Sequence, residues 1–267
     1  MENEPVIRLS VFLGVFLLCA GWEALRPKRD RVLTRARRWS ANIGLVVVDT
    51  FVVRLLFPAA AVGAAVDAST QGWGLFNQTD WPLWLEVLAA FVILDFAIWV
   101  QHVVFHKVPF LWRFHMVHHA DEEMDVTTGF RFHPVEIAAS MAIKIGLVYA
   151  LGAAAVAVIL FEVMLSAAAL WSHSNTRLSE RVERIVRWFV VTPDMHRSHH
   201  SVERREHDTN YGFFLSVWDR LFGQYTETPE GGHDGVRIGL KPWRDGQSAS
   251  LLWAAAAPFR APYWKKK

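Results

Sequence analysis

Residues 83–119 read LWLEVLAAFVILDFAIWVQHVVFHKVPFLWRFHMVHH. The run from Leu83 to Phe105 is apolar and long enough to cross a bilayer, which takes about 20 helical residues. His102 and His106 stand four apart at its end, and His115, His118 and His119 follow as H-x-x-H-H. Positions i, i+3 and i+4 share one side of a helix, so each group can turn its imidazoles the same way. An apolar span ending in converging histidines implies an all-α integral membrane helical bundle with a histidine-rich di-metal cap.

The flanks agree. Val6–Leu25 and Ile43–Val66 are further apolar stretches of spanning length, and Ile137–Trp171 is too long for one helix, with Gly146 and Gly152 near its middle. This last stretch reads as a hairpin of two helices, for about four to five membrane helices in all. The N-terminal run has no basic segment before it and no small-residue cleavage site after it, so it reads as a retained helix. Hydrophobic residues make up 52% of the 267-residue chain against 20% charged, and the single Cys19 lies in an apolar run, excluding a disulfide framework or cysteine metal site. A net charge of +2 gives no reason to expect a nucleic-acid partner.

Charge placement orients the chain. Arg26, Lys28, Arg29, Arg31, Arg35, Arg37 and Arg38 lie between the first two spans, whereas Asp67–Pro82 holds no Lys or Arg. The positive-inside rule makes the first loop cytoplasmic, and the spans then bring every histidine group to that same face. Two segments are expected on the membrane surface. Arg177–Val191 would be a helix with Leu178, Val182, Ile185, Val186 and Phe189 on one face and arginines elsewhere. The other, with Trp253, Phe259, Tyr263, Trp264 and Lys265–Lys267, has the composition of an interfacial anchor.

A second H-x-x-H-H occurs at His196, His199 and His200. One such motif on a helix can be incidental, but two of them with the His102/His106 pair, all on one membrane face, favour metal. Neutral imidazole is the commonest protein metal ligand. Eight histidines exceed what one tetrahedral site uses, so two ions in one pocket is the economical reading.

The ordered motifs W-R-F-H-M-V-H-H, F-R-F-H-P-V-E, T-P-D-M-H-R-S-H-H, D-T-N-Y-G and W-D-R-L-F-G, spanning Leu94 to Tyr225, resemble those of the fatty acid hydroxylase and sterol desaturase superfamily of membrane enzymes. The resemblance implies as metal ligands His102, His106, His115, His118, His119, His196, His199 and His200, with His173 of W-S-H-S-N as the isolated ligand between the boxes. It implies a division into membrane helices (1–93), a histidine-box catalytic region (94–226) and a tail (227–267). The chain departs from the pattern at Val103, where many members carry Arg; this bears on the surroundings of the ligands and not on ligation. His133 fits the pattern better as a helix-start or supporting residue than as a ligand. Asp95, two turns before His102, is expected either to accept a hydrogen bond from a ligand imidazole or to bridge helices. Asp194, Asp208 and Asn210 are expected to support ligands in the same way. His207 and His233 read as surface histidines, and Arg113 and Arg131 as residues of the interface or partners of acids.

Imidazole alone does not name the metal. The resemblance implies oxygen-dependent hydroxylation or desaturation of a lipid by two iron ions, which a purified protein can carry as zinc, with substrate entering laterally between Leu83–Phe105 and the hairpin. Without G-x-G-x-x-G or a haem-attachment motif, electrons are expected from a separate ferredoxin or b-type cytochrome. Two other classes compete. A zinc lipid hydrolase would use an H-E-x-x-H, which is missing, and a metal transporter or sensor would place ligands near the bilayer midplane. The short chain and the lack of a C-terminal retrieval signal point to a bacterial inner membrane.

Overall fold

The computed structural model describes residues 4–31 and 33–260. The anchor residues Tyr263, Trp264 and Lys265–Lys267 lie outside them. Among the described residues the secondary structure is helical, with three isolated β-bridges and no ladder. The long helices are α1 (Glu4–Leu25), α2 (Arg35–Leu56), α3 (Ala60–Gln71), α4 (Leu83–Lys107), α5 (Pro109–His119), α6 (Pro134–Leu151) and α7 (Ala155–His173). Shorter ones follow: α8 (Glu180–Val186), α9 (Pro193–His199), α10 (Arg204–His207), α11 (Val217–Leu221), α12 (Gly232–Gly235) and α13 (Leu251–Ala256).

Five segments are long and apolar enough to cross a membrane: α1, the α2–α3 stretch, α4, α6 and α7. Their outward faces explain why a bilayer suits them. Leu9 and Leu18 on α1, Val47 and Phe51 on α2, and Trp84 on α4 are all more than half exposed. Large contiguous apolar surface of this kind is unstable in water and favourable in lipid. The stretch Ile43–Val66 is two helices and not one. Pro58 lacks an N–H and pushes Phe57 out of helical geometry (φ −134°, ψ 67°), so α2 stops and α3 restarts at Ala60. Asp67–Gln71, expected in a loop, completes α3.

The hairpin of α6 and α7 turns at Gly152, which caps α6 at φ 65°. That turn docks on the end of α3, where Leu75 N donates to Ala150 O. A Cβ on Gly74 would fall 2.1 Å from Gly152 N, so neither residue has room for a side chain. Ala61, Ala64 and Ala65 give α3 a small-residue face that joins Leu94 and Ile98 of α4 and Val158 and Phe161 of α7 in the main core.

α1 packs on α7, α2 on α6 and α3 on both α6 and α7. Polar staples fix the cap to them. Glu23 accepts from Val126 N, Asn175 N and Arg31, while Arg38 binds Asp121 and Asp125. The cationic first loop therefore lies at the histidine end of the bundle.

Two surface expectations change. The Arg177–Val191 helix shrinks to α8, because Arg187 turns inward to Glu183 and Glu227; Val182, Ile185, Trp188 and Phe189 do face outward. Trp253 is buried against Leu45, Trp112 and Met116, because α13 folds back onto α2, and it is no interfacial anchor. Phe259 is exposed.

Candidate metal centre

Local rules place each ligand. α4 ends because Val108 precedes Pro109 and takes extended geometry, leaving His102 and His106 in the last turns. Pro109 then starts α5 at its first turn, and α5 carries His115, His118 and His119. His173 closes α7. Thr192 caps α9, its hydroxyl accepting from Met195 N, and α9 carries His196 and His199 with His200 just beyond.

The fold brings all nine together as two groups. His102, His106, His115, His119 and His199 form one, and His118, His173, His196 and His200 the other; within each group the ligand atoms lie within 4.8 Å of one another. All nine are buried, at 4% exposure or less.

Five imidazoles have their Nδ1 committed. His102 donates to Tyr211 O, His118 to Arg131 O, His173 to Ala169 O, His199 to Thr209 O and His115 to Glu136 Oε1. A backbone carbonyl only accepts, so in His102, His118, His173 and His199 the proton sits on Nδ1 and Nε2 presents a lone pair; Glu136 in its ionised form would fix His115 the same way. Those lone pairs face each other: His102 Nε2 lies 3.1 Å from His115 Nε2 and from His199 Nε2, and His118 Nε2 lies 3.0 Å from His173 Nε2. Bare lone pairs at that separation repel. Nitrogens bound ~2.1 Å from one ion at near right angles would sit about 3 Å apart. Both nitrogens of His106 and His119 are also buried without hydrogen-bond partners. The donor set fits two metal ions, one per group.

Burial holds the His115 imidazole at about 3, far below its ordinary value. Burial first, then neighbouring imidazoles, push His118, His119, His196, His199 and His200 down as well. All six are neutral at pH 7 and free to ligate.

The supporting residues divide. His133 caps α6, its Nδ1 accepting from Val135 N, which is a helix-start role. Asp95 touches no ligand. It sits about 10 Å along the helix axis from His102, and it accepts instead from Trp218 Nε1 and Leu215 N. Asp194 pairs with Arg197 and Lys28, not with an imidazole. Asp208 lies 3.5 Å from His106 Nδ1. Asn210 has left-handed backbone (φ 53°), and its amide donates to Met195 O and Thr226 O. That turn lets Thr209 and Tyr211 on either side aim their carbonyls at His199 and His102.

His207 is no surface residue: it is buried and stacks on Trp112 at 5.4 Å, because α10 folds against α9. His233 is half-buried. Arg131 is buried and donates to Val117 O, Asn42 and Ser248 O, holding the loop before α6, and its charge acts on the Asp121 carboxylate. Arg113 lies over the Phe110 ring. Sequence reasoning missed two carboxylates, Glu136 behind His115 and Asp219. Asp219 accepts from Tyr211 N, Gly212 N and Trp99 Nε1 and so steadies the carbonyl behind His102. Both acids lie inside motifs quoted above, F-R-F-H-P-V-E and W-D-R-L-F-G, which was the available signal.

The family model "Fatty acid hydroxylase" matches residues 87–224, just over half of the chain and all nine histidines. The chain belongs to the fatty acid hydroxylase family. Among curated members of this superfamily, the ornithine lipid hydroxylase OlsE of Rhizobium tropici is 30% identical over 65% of this chain and 51% of its own length. An alkylglycerol monooxygenase of Xenopus tropicalis is 26% identical over 71% of this chain and 42% of its own. The fatty acid hydroxylase vlmA of a Lecanicillium species is 25% identical over 73% of this chain and 55% of its own. The chain spans about half the length of the curated relatives it matches. No solved structure matches it significantly.

Proposed function

We propose that this family member is a membrane-bound oxygenase that hydroxylates or desaturates a lipid, using O2, two iron ions and electrons from a separate ferredoxin or b-type cytochrome. The observation that carries the reading is the convergence of nine buried imidazoles into groups of five and four. His102, His106, His115, His119 and His199 would hold one ion, and His118, His173, His196 and His200 the other. The bound pair would supply the redox capacity to activate O2 against an unactivated C–H bond. The protein's own part is to keep the ligand nitrogens deprotonated, exclude water and position an alkyl chain.

Relatives named for ornithine lipids, alkylglycerols and fatty acids share an alkyl chain, and this is the substrate feature we adopt. Phe132 stacks on His118 at 4.4 Å, and Phe213 lies 5.6 Å from His102 while packing on the main core. These half-buried rings give an apolar approach from the bilayer side, supporting entry between α4 and the hairpin. The cationic loop at the histidine end supports a cytoplasmic active site, and a bacterial inner membrane is the setting we propose.

Detergent-purified protein loaded anaerobically with 57Fe, exposed to O2 and followed by Mössbauer spectroscopy tests this. Two irons per chain forming an oxygen-sensitive coupled pair are expected. Two zincs, no iron uptake and no oxygen reactivity would remove the oxygenase and favour a zinc hydrolase.

A further inference from the structure

The two metal positions have unequal surroundings. In the five-histidine group, His115 donates to a carboxylate: Glu136 in the first turn of α6, 5% exposed, with Oε1 2.7 Å from Nδ1. Nδ1 of His106 and Nδ1 of His119 in the same group make no hydrogen bond among the described residues, with Asp208 Oδ1 3.5 Å from the former, so the support comes from Glu136. Among the described residues no carboxylate hydrogen-bonds an imidazole of the four-histidine group. His118 and His173 donate to backbone carbonyls, and Nδ1 of His196 and of His200 is buried without a partner among the described residues. A carboxylate behind an imidazole makes a charge-assisted hydrogen bond, raises the basicity of the ligating nitrogen and offsets part of the ion's charge. A neutral carbonyl does this more weakly, and an unpartnered Nδ1 leaves ring orientation to packing alone. The extra imidazole acts in the same direction.

We infer that the five-histidine position is the tighter of the two and fills first, and that Glu136, acting through His115, is the positioning residue that sets this order. The inference rests on the two-ion reading above but not on the identity of the metal. Filling is therefore sequential: the first position is lined by α4, α5 and α9, and the second, more labile one by α5, α7 and α9.

The test titrates metal-free, detergent-solubilised full-length protein anaerobically with Zn2+ against a chromophoric chelator. Wild type is expected to bind two ions in two resolved steps. Glu136→Leu should weaken the tighter step about 10- to 100-fold and leave the weaker one unchanged. Glu136→Gln, which keeps a neutral acceptor for the N–H, should lose less; a residue needed only to fill space would show no such graded rescue. His196→Ala, which does not touch Glu136, should abolish the weaker step and spare the tighter. In parallel, a first equivalent of 57Fe should give one quadrupole doublet that Glu136→Gln alters and His196→Ala does not.

A first step lost in His196→Ala, two indistinguishable steps in wild type, or Glu136 variants that weaken both steps equally or neither would overturn the inference. Two zincs bound in the expected order without oxygen reactivity would sink the oxygenase and leave this order standing. An oxygen-reactive iron pair insensitive to Glu136 would do the reverse. Failure of wild type to bind two ions would remove both.

Discussion

Arg38→Met probes the joint between the membrane helices and the metal cap. Arg38 is 1% exposed, and its guanidinium lies 2.8 Å from both oxygens of Asp121 and 2.7 Å from Asp125 Oδ2. Methionine keeps much of the stem volume but strands two carboxylates, exposed 2% and 0%, in a dry interior. Removing one partner of a buried ion pair costs ~3–5 kcal/mol, and here two acids lose the same cation. For a chain of this size that corresponds to about 10 °C or more in the unfolding midpoint. The pH dependence supplies a sharper signature. Burial pushes the Asp121 carboxyl up, yet Arg38 holds it at about 2 in the intact protein. In wild type its stabilising contribution is therefore complete above its ordinary range, near pH 4, and is lost as pH falls towards 2. Without Arg38, burial dominates and the folded value rises above the ordinary one. The deficit of the variant should then be largest at pH 8 and shrink as the pH falls through that raised value. Thermal unfolding in detergent from pH 8 to 5, with Arg38→Met/Asp121→Asn/Asp125→Asn as the compensating variant, measures both. A deficit under ~1 kcal/mol, or one independent of pH and unrelieved by the triple variant, would refute the reasoning.

Three further outcomes are expected. Metal-free protein should lose stability as pH falls from 7 to 5, because the unfolded chain takes up protons on histidines that the folded chain keeps neutral, including His115 at about 3; each such histidine contributes up to ~1.4 kcal/mol per pH unit below its ordinary value near 6.5, and a midpoint constant across that range would contradict it. Asp219→Ala frees three buried donors, on Tyr211, Gly212 and Trp99, at ~1–3 kcal/mol apiece, so the unfolding midpoint and the metal bound through His102 should both fall, with Asp219→Asn milder. Val47, 62% exposed on α2, should tolerate Leu but not Arg, which costs ~2.5–3.5 kcal/mol at the centre of a membrane helix; equal membrane-inserted fractions of the two variants would argue against placing this face in lipid.

The elements and ligands legible in the sequence were those written locally. Apolar runs of spanning length reappear as α1, α4, α6 and α7, and the histidine spacings reappear as the inward faces of α4, α5 and α9, because helical periodicity is a property of neighbouring residues. The break at Pro58 was local too, but the run of apolar residues on both sides masked it. The fate of Trp253 was not local: a tryptophan near the end of a chain suits an interface or a core equally, and only the docking of α13 onto α2 buries it.

By itself, then, the sequence determined a helical membrane protein with eight spaced histidines directed to one end, since chain order and period suffice for that, while the ninth, His173, came only from the family resemblance. Tertiary structure alone decided which histidines share an ion. His102 meets His199 across 97 positions of chain, and His118 meets His173 across 55. It also decided what stands behind them. Four of the five committed Nδ1 atoms face backbone carbonyls, which every residue carries and no motif can announce, and the fifth faces Glu136, one acid among many until α6 folds beside α5. The physical reason is that periodicity sets which way a side chain points, whereas packing sets what it meets.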